Sequence, residues 1–130
     1  MQNNNLTDFG NFKVAGMDYV PHDLKAVWKL QELIEANFKL QKHAEFYTRK
    51  LGMSLYQLNT ATKEYLGKTV HQLIKDRTYD EAVKLLKHTS LTSKAVTYEI
   101  GLADPSYFTK WFKEVSGLHP GEFRRKYQVS

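Results

Sequence analysis

From Asp23 to the C-terminal region, apolar residues recur at steps of three and four, which is the period of an amphipathic helix. No stretch alternates between apolar and polar residues as a half-buried strand does. The pattern therefore predicts an all-α fold. Seven helices are expected, within residues 24–38, 44–51, 54–66, 70–88, 93–101, 105–116 and 120–127.

Capping residues mark where several of these helices begin. Ser54 followed by Gln57 forms a capping box, in which each side chain bonds the backbone N–H of the other residue. Asp104 before Pro105 places a capping carboxylate ahead of a proline at the first helical position. The helix ends are predicted at glycines, which adopt the left-handed C-cap most easily: Gly52, Gly67, Gly101 and Gly117.

The second half of the chain repeats the first. Residues 54–73 match residues 104–123 at an offset of 50, and the helix before each stretch matches at an offset of 49. Two helix–turn–helix copies joined by a long helix account for this repeat. The predicted organisation is an N-terminal tail or remnant at 1–22, a first subdomain at 23–68, a linking helix at 69–88 and a second subdomain at 89–130.

The third and sixth helices each separate an apolar face from a polar one when drawn at about 100° per residue. Their inner faces are predicted to hold Leu58, Ala61, Thr62 and Tyr65, and Phe108, Trp111, Phe112 and Val115. Their outer faces are predicted to hold Tyr56, Asn59, Thr60 and Lys63, and Ser106, Thr109, Lys110 and Lys113. Short polar faces of this kind suit the major groove of DNA, which admits one helix.

Charge supports a polyanionic partner. Residues 1–23 hold one cation and three anions, which leaves 18 of the 19 cations and 11 of the 14 anions for the rest. A basic body attracts phosphates without specific contacts. The chain has no cysteine, which excludes thiolate metal sites and is typical of a reducing, cytoplasmic setting. No apolar run approaches ~18 residues, so no membrane span is expected.

Residues 100–127 read IGLADPSYFTKWFKEVSGLHPGEFRRKY. The spacing G-x-x-D-x-S-Y-F, followed by F-K, G, P and an aromatic residue before two arginines, resembles the signature of the AraC/XylS family of bacterial transcription regulators. The resemblance covers about residues 25–127. It implies a seven-helix module that binds double-stranded DNA sequence-specifically, with recognition helices 54–66 and 105–116 in successive major grooves.

Carried over by position, the resemblance implies a set of DNA contacts. The base-reading positions fall on Tyr56, Asn59, Thr60, Ser106, Tyr107 and Lys110. Phosphate contacts are expected from Gln57, Lys63, Thr109, Lys113, Arg124 and Arg125. Family members usually carry an upstream effector-binding or dimerisation domain, for which 22 residues are too few. The chain is therefore either a truncated product or a short member that binds as a monomer, and a dimer would need missing upstream sequence.

Two other classes of function compete with this interpretation. An enzyme is not expected, because the five histidines form no pair at metal-ligand spacing and no phosphate loop or nucleophile elbow occurs. No cofactor is expected either. The alternative is a helical protein-interaction module with little or no intrinsic DNA specificity. If the protein activates transcription, RNA polymerase is the further partner that the family resemblance implies.

Overall fold

The computed structural model of the protein describes residues 20–129, and within that range it contains seven α-helices and no strand. They are α1 His22–Asn37, α2 Ala44–Leu51, α3 Leu55–Leu66, α4 Val70–His88, α5 Ser93–Glu99, α6 Pro105–Ser116 and α7 Pro120–Tyr127. The predicted all-α fold is confirmed, and each helix begins and ends within two residues of its predicted bounds. Most of the predicted tail at 1–22 lies outside the described residues.

Local hydrogen bonds explain why α3 and α6 begin where they do. The Ser54 side chain accepts from the N–H of Gln57 at 3.1 Å, and the Gln57 side chain accepts from the N–H of Ser54 at 3.0 Å. At α6, the Asp104 carboxylate accepts from the N–H of Ser106 at 2.9 Å. Each pairing satisfies an amide that has no partner within its own helix, so the sequence alone specifies both helix starts.

The chain forms two compact units, one ending at Ile74 and the other beginning at Lys75, so the boundary falls within α4. The core of the first unit combines apolar residues of α1–α4, and its fully buried members include Leu30, Tyr47 and Leu58. Thr62 is also fully buried, and its hydroxyl donates to the carbonyl of Asn59 at 3.2 Å. Phe112 stands fifty residues later, so this core holds a small polar side chain where the second holds a phenyl ring.

Aromatic rings dominate the core of the second unit. Phe112 packs edge-on against Phe123 with the ring centroids 5.1 Å apart, and it stacks on Tyr79 of α4 at 5.3 Å. Trp111 packs edge-on against the same Tyr79 ring, with the centroids 6.2 Å apart. Val115 was predicted to join this inner face, and that prediction is wrong because 53% of Val115 is exposed. Val115 lies in the last turn of α6, after the buried residues Phe108, Trp111 and Phe112. The helical period predicts which face a residue lies on, but it does not predict how far along the helix that face is buried.

The end of α4 is held by α7 and the residues that follow it. The Nε of Arg124 donates to the carbonyl of Leu86 at 3.1 Å, and the side-chain amide of Gln128 donates to the carbonyl of Thr89 at 3.2 Å. The last carbonyls of a helix have no partner within the helix, so these donors satisfy groups that would otherwise need water. This arrangement fixes α7 within the second unit.

Candidate nucleic-acid interface

The exposed faces of α3 and α6 correspond residue by residue. We define the outer face of α3 as Tyr56, Gln57, Thr60, Lys63 and Glu64, which are its exposed residues apart from the aliphatic Leu55. The outer face of α6 consists of Ser106, Tyr107, Lys110, Lys113 and Glu114, which are its exposed residues apart from the aliphatic Val115. Each member of the second set stands fifty residues after its counterpart in the first. The structural repeat thus extends from the core, where packing maintains it, to two polar surfaces that no core requires.

Asn59 and Thr109, which were expected on these faces, are only half-exposed. The side-chain oxygen of Asn59 accepts from the N–H of Val70, the first residue of α4, at 2.9 Å. That amide has no partner within α4, so Asn59 supplies a cap from outside the helix. This contact uses the side-chain oxygen of Asn59 and leaves its NH2 group, so the expectation that Asn59 reads bases stays a prediction in which the NH2 group is the donor.

The two threonines of the predicted site direct their protons inward. The hydroxyl of Thr60 donates to the carbonyl of Tyr56 at 2.8 Å, and that of Thr109 donates to the carbonyl of Pro105 at 3.0 Å. A hydroxyl whose proton is used in this way offers its lone pairs to an incoming group. Thr60, which is exposed, is therefore an acceptor suited to the amino groups of adenine or cytosine.

Gln57 and Tyr107 occupy equivalent positions on the two outer faces, and each has an internal hydrogen-bond donor on its oxygen. The side-chain oxygen of Gln57 takes the N–H of Ser54, which leaves its NH2 group for an external partner. The hydroxyl of Tyr107 receives a hydrogen bond from the ammonium of Lys75 at 3.2 Å. Tyr56, one position earlier on α3, is 81% exposed and extends further into solvent than Tyr107, which is 44% exposed.

An open groove of about 620 Å³ runs beside α6. Four of the predicted site residues line this groove, namely Ser106, Thr109, Lys110 and Lys113. Glu114 and His119 supply much of the remaining lining. Two ammonium groups against one carboxylate give the groove a positive balance when His119 is neutral. A surface of this charge and polarity can accept a phosphate or the acceptor edge of a base.

Neighbouring arginines of α7 have different surroundings. Arg124 is half-buried and bonded to Leu86, whereas Arg125 is exposed. The arginine expected at 124 as a phosphate contact is therefore engaged inside the protein, because its cation lies at the carbonyl end of α4, where the helix dipole favours positive charge. Arg125 keeps the exposure that a phosphate contact needs.

The start of α7 adds to the positive surface near Lys113. The backbone N–H of His119 donates to the Glu122 carboxylate at 3.0 Å and is the main reason why the pKa of Glu122 lies below its ordinary value. The charges of Lys113 and Arg125 lower this pKa further. Lys113 and Arg125 are both exposed, so this part of the surface carries two cations alongside the Glu122 carboxylate.

Lys75 was missed by the sequence analysis. Its position on the linking helix gave no reason to connect it with α6, and no local motif contains it. The structure brings its ammonium to Tyr107 and Trp111 of the recognition helix. A pattern of spacing within one helix cannot identify a contact between residues 32 positions apart.

Among residues 20–129, no group of three or more histidine, aspartate or glutamate side chains is arranged to hold a metal ion. No helix within this range is long and apolar enough to cross a membrane.

Comparisons with known proteins agree with the repeated helix–turn–helix geometry. The profile of a helix-turn-helix domain family matches residues 47–126. The chain is similar to the uncharacterized HTH-type transcriptional regulator YisR of Bacillus subtilis, with 24% identity over 101 residues. That alignment covers 78% of this chain and 35% of YisR, so the chain spans about a third of the length of this relative.

Solved structures give the same fold. The C-terminal domain of AraT, a response regulator from Geobacillus stearothermophilus, superposes with a TM-score of 0.75 at 25% identity, covering 81% of this chain and 88% of that domain. A probable AraC family transcriptional regulator from Rhodopseudomonas palustris gives a TM-score of 0.68 at 23% identity, over 81% of this chain and 99% of that one. With the family profile matching well over half of its residues, the chain belongs to the AraC/XylS family of helix–turn–helix transcription regulators.

Proposed function

We propose that this chain binds double-stranded DNA sequence-specifically, with α3 and α6 lying in successive major grooves. The observation that carries the proposal is the match between the two outer faces, whose five members on α3 each stand fifty residues before an exposed member on α6. Core packing explains why apolar positions repeat. A repeated polar surface needs a repeated partner, and duplex DNA offers equivalent grooves at each turn.

Base edges are read in this proposal by side chains that combine exposure with a suitable hydrogen-bonding group. Lys110 donates to the O6 and N7 acceptors of guanine, and Thr60 accepts from the amino group of adenine or cytosine. Ser106 and Tyr56 lie in the first turns of α6 and α3, the end of a recognition helix that usually meets the bases. Asn59 contributes by fixing α4 against α3 through Val70.

Phosphates are bound in this proposal by Gln57, Lys63, Lys113 and Arg125, which position the protein without reading sequence. Lys113 and Arg125 are the leading candidates, since both are exposed cations of the second unit. Lys63 is the equivalent of Lys113 on α3, and Gln57 offers its NH2 group from the first turn of the same helix. Thr109 is left with hydroxyl lone pairs, which do not bind a phosphate directly, so we assign it to the support of α6.

The linking helix has a length suited to this mode of binding. At about 1.5 Å per residue, the 19 residues of α4 span about 28 Å. Neighbouring major-groove segments on one face of a duplex lie about 34 Å apart. A continuous helix of nearly that length supports simultaneous use of both units, whereas a flexible linker would leave them to bind independently.

We further propose that the protein acts in the cytoplasm and has no catalytic activity. If it activates transcription, RNA polymerase is its second partner. These statements extend the family assignment.

Selection of bound sequences from a random duplex pool tests the main proposal. A single enriched motif covering two half-sites about one helical turn apart is expected. Lys110→Ala should then weaken binding to the selected site by ~1–3 kcal/mol and relax the preference at one or two base pairs. Lys94→Ala, which removes an exposed charge from the same unit, is the matched control and should leave the motif unchanged.

Salt dependence separates this proposal from a protein-interaction module. Binding through several phosphates predicts a linear and steep fall of log affinity with log salt concentration. No enriched motif, together with DNA binding that is equally weak on all sequences, would contradict sequence-specific recognition and favour the alternative.

A further inference from the structure

Lys75 lies against the N-terminal part of recognition helix α6. Its ammonium is 3.2 Å from the hydroxyl of Tyr107, 5.9 Å from the centroid of the Tyr107 ring and 5.6 Å from the centroid of the Trp111 ring. The two rings are nearly parallel, at 3°, with centroids 6.5 Å apart. All three residues belong to the second unit.

This arrangement holds Tyr107 in one orientation. Trp111 is 7% exposed and belongs to the core, so the face on which Tyr107 stacks is itself immobilised. Offset stacking of aromatic rings and a cation within about 6 Å of a ring are both attractive. Tyr107 is nevertheless 44% exposed, so its hydroxyl is held in place at the surface without being enclosed.

The contact with Lys75 also determines what the hydroxyl can offer. An ammonium group carries only donors, so the Tyr107 oxygen must be the acceptor in their hydrogen bond. The positive charge beside this oxygen repels a second donor, and it polarises the O–H bond. What remains for an external partner is the phenolic proton.

We propose that Lys75 is a positioning residue that makes Tyr107 a hydrogen-bond donor toward DNA. This rests on the proposed function and specifies the chemistry of one contact within it. The partner is an acceptor atom of the duplex: guanine O6 or N7, adenine N7, thymine O4, or a phosphate oxygen. The amino group of cytosine, which is a donor, is disfavoured at this place.

The first unit supports the same inference independently. Gln57 stands fifty residues before Tyr107, and its oxygen is occupied by the N–H of Ser54 at 3.0 Å. Its NH2 group is therefore what it can present to DNA. Different residues with different internal partners thus leave a donor at the same position of both recognition helices.

A double-mutant cycle on the selected duplex tests this inference. Lys75→Met removes the ammonium, and Tyr107→Phe removes the hydroxyl while keeping the ring for Trp111 and Lys75. Lys84→Met is the control for lost charge, since Lys84 is exposed and lies nine residues further along α4, on its opposite side. Thermal unfolding of each variant shows whether it is folded at the assay temperature.

In the otherwise unchanged protein, Lys75→Met is expected to lower affinity about tenfold more than Lys84→Met does. In the Tyr107→Phe background, the two substitutions should have equal effects, because no hydroxyl remains to be positioned. Lys75→Arg should retain most of the affinity, because guanidinium is also a pure donor. An equal loss from Lys75→Met in both backgrounds would overturn the inference, since Lys75 would then act on DNA or on stability by itself.

Repeating the sequence selection with Tyr107→Phe identifies the acceptor. A changed preference at one base pair places it on a base edge, and a uniform loss of affinity places it on a phosphate. If the unsubstituted protein prefers no sequence, the proposed function fails and this inference with it. If it does prefer one but the cycle shows no coupling between Lys75 and Tyr107, only this inference fails.

Discussion

Arg124→Ala is predicted to destabilise the second unit without weakening the contact with DNA itself. The side chain is half-buried, its Nε donates to the carbonyl of Leu86, and its Nη2 is buried as well. A hydrogen bond to a charged group contributes about 1.5–3 kcal/mol. Burying Nη2 without a hydrogen-bond partner offsets part of this stabilisation, so Arg124→Ala is expected to lower the free energy of unfolding by ~2 kcal/mol. For a unit of this size, the unfolding midpoint falls by roughly 10 °C.

Tryptophan fluorescence can follow this unit alone. The chain has two tryptophans, Trp28 in the first unit and Trp111 in the second. In a Trp28→Phe background, emission during denaturation by guanidinium chloride reports the surroundings of Trp111. Arg124→Ala should lower the transition midpoint and leave its slope unchanged, because a loss of stability alone does not alter the surface exposed on unfolding.

Arg125→Ala is the matched comparison, one position further along α7 and exposed. It should leave the denaturation midpoint unchanged, weaken all duplexes alike and reduce the salt slope by about one. Arg124→Ala, assayed at low temperature where it remains folded, should keep both affinity and salt slope. The reasoning is refuted if Arg124→Ala instead leaves the midpoint unchanged and lowers the salt slope, since Arg124 would then be a phosphate contact as the sequence first suggested.

Two further predictions concern α4. Asn59→Ala should lower the free energy of unfolding by ~1 kcal/mol, which is the usual cost of losing a cap, and should leave the selected DNA motif intact. A shifted motif at unchanged stability would instead identify Asn59 as a base reader. Inserting two alanines between Ile74 and Lys75 keeps each unit's residues together but turns everything after them by about 200°. This insertion should abolish site-specific binding. An insertion of four alanines turns the second unit by only about 40° and should restore part of the affinity. Equal affinity for both insertions would mean that the units bind independently.

The sequence by itself determined the helices of this protein. Their starts depend on partners two or three residues away, as in the pairing of Ser54 with Gln57 and of Asp104 with Ser106. Their ends depend on glycines that adopt positive φ, such as Gly67 and Gly117. Interactions this short are present in the residue order before any tertiary packing forms. The resemblance of residues 100–127 to one family supplied the class of function.

Tertiary structure decided which polar residues are available to DNA. Asn59 and Arg124 were both expected to contact DNA, yet they bond backbone groups 11 and 38 residues away. Tyr107 is oriented by Lys75, 32 positions earlier in the chain. A helical wheel gives the direction in which a side chain points. Its hydrogen-bond partner can belong to a different helix, and only tertiary packing decides which one. The residue types and their spacing therefore predicted two polar faces, and long-range contacts determined the hydrogen-bonding groups that those faces present.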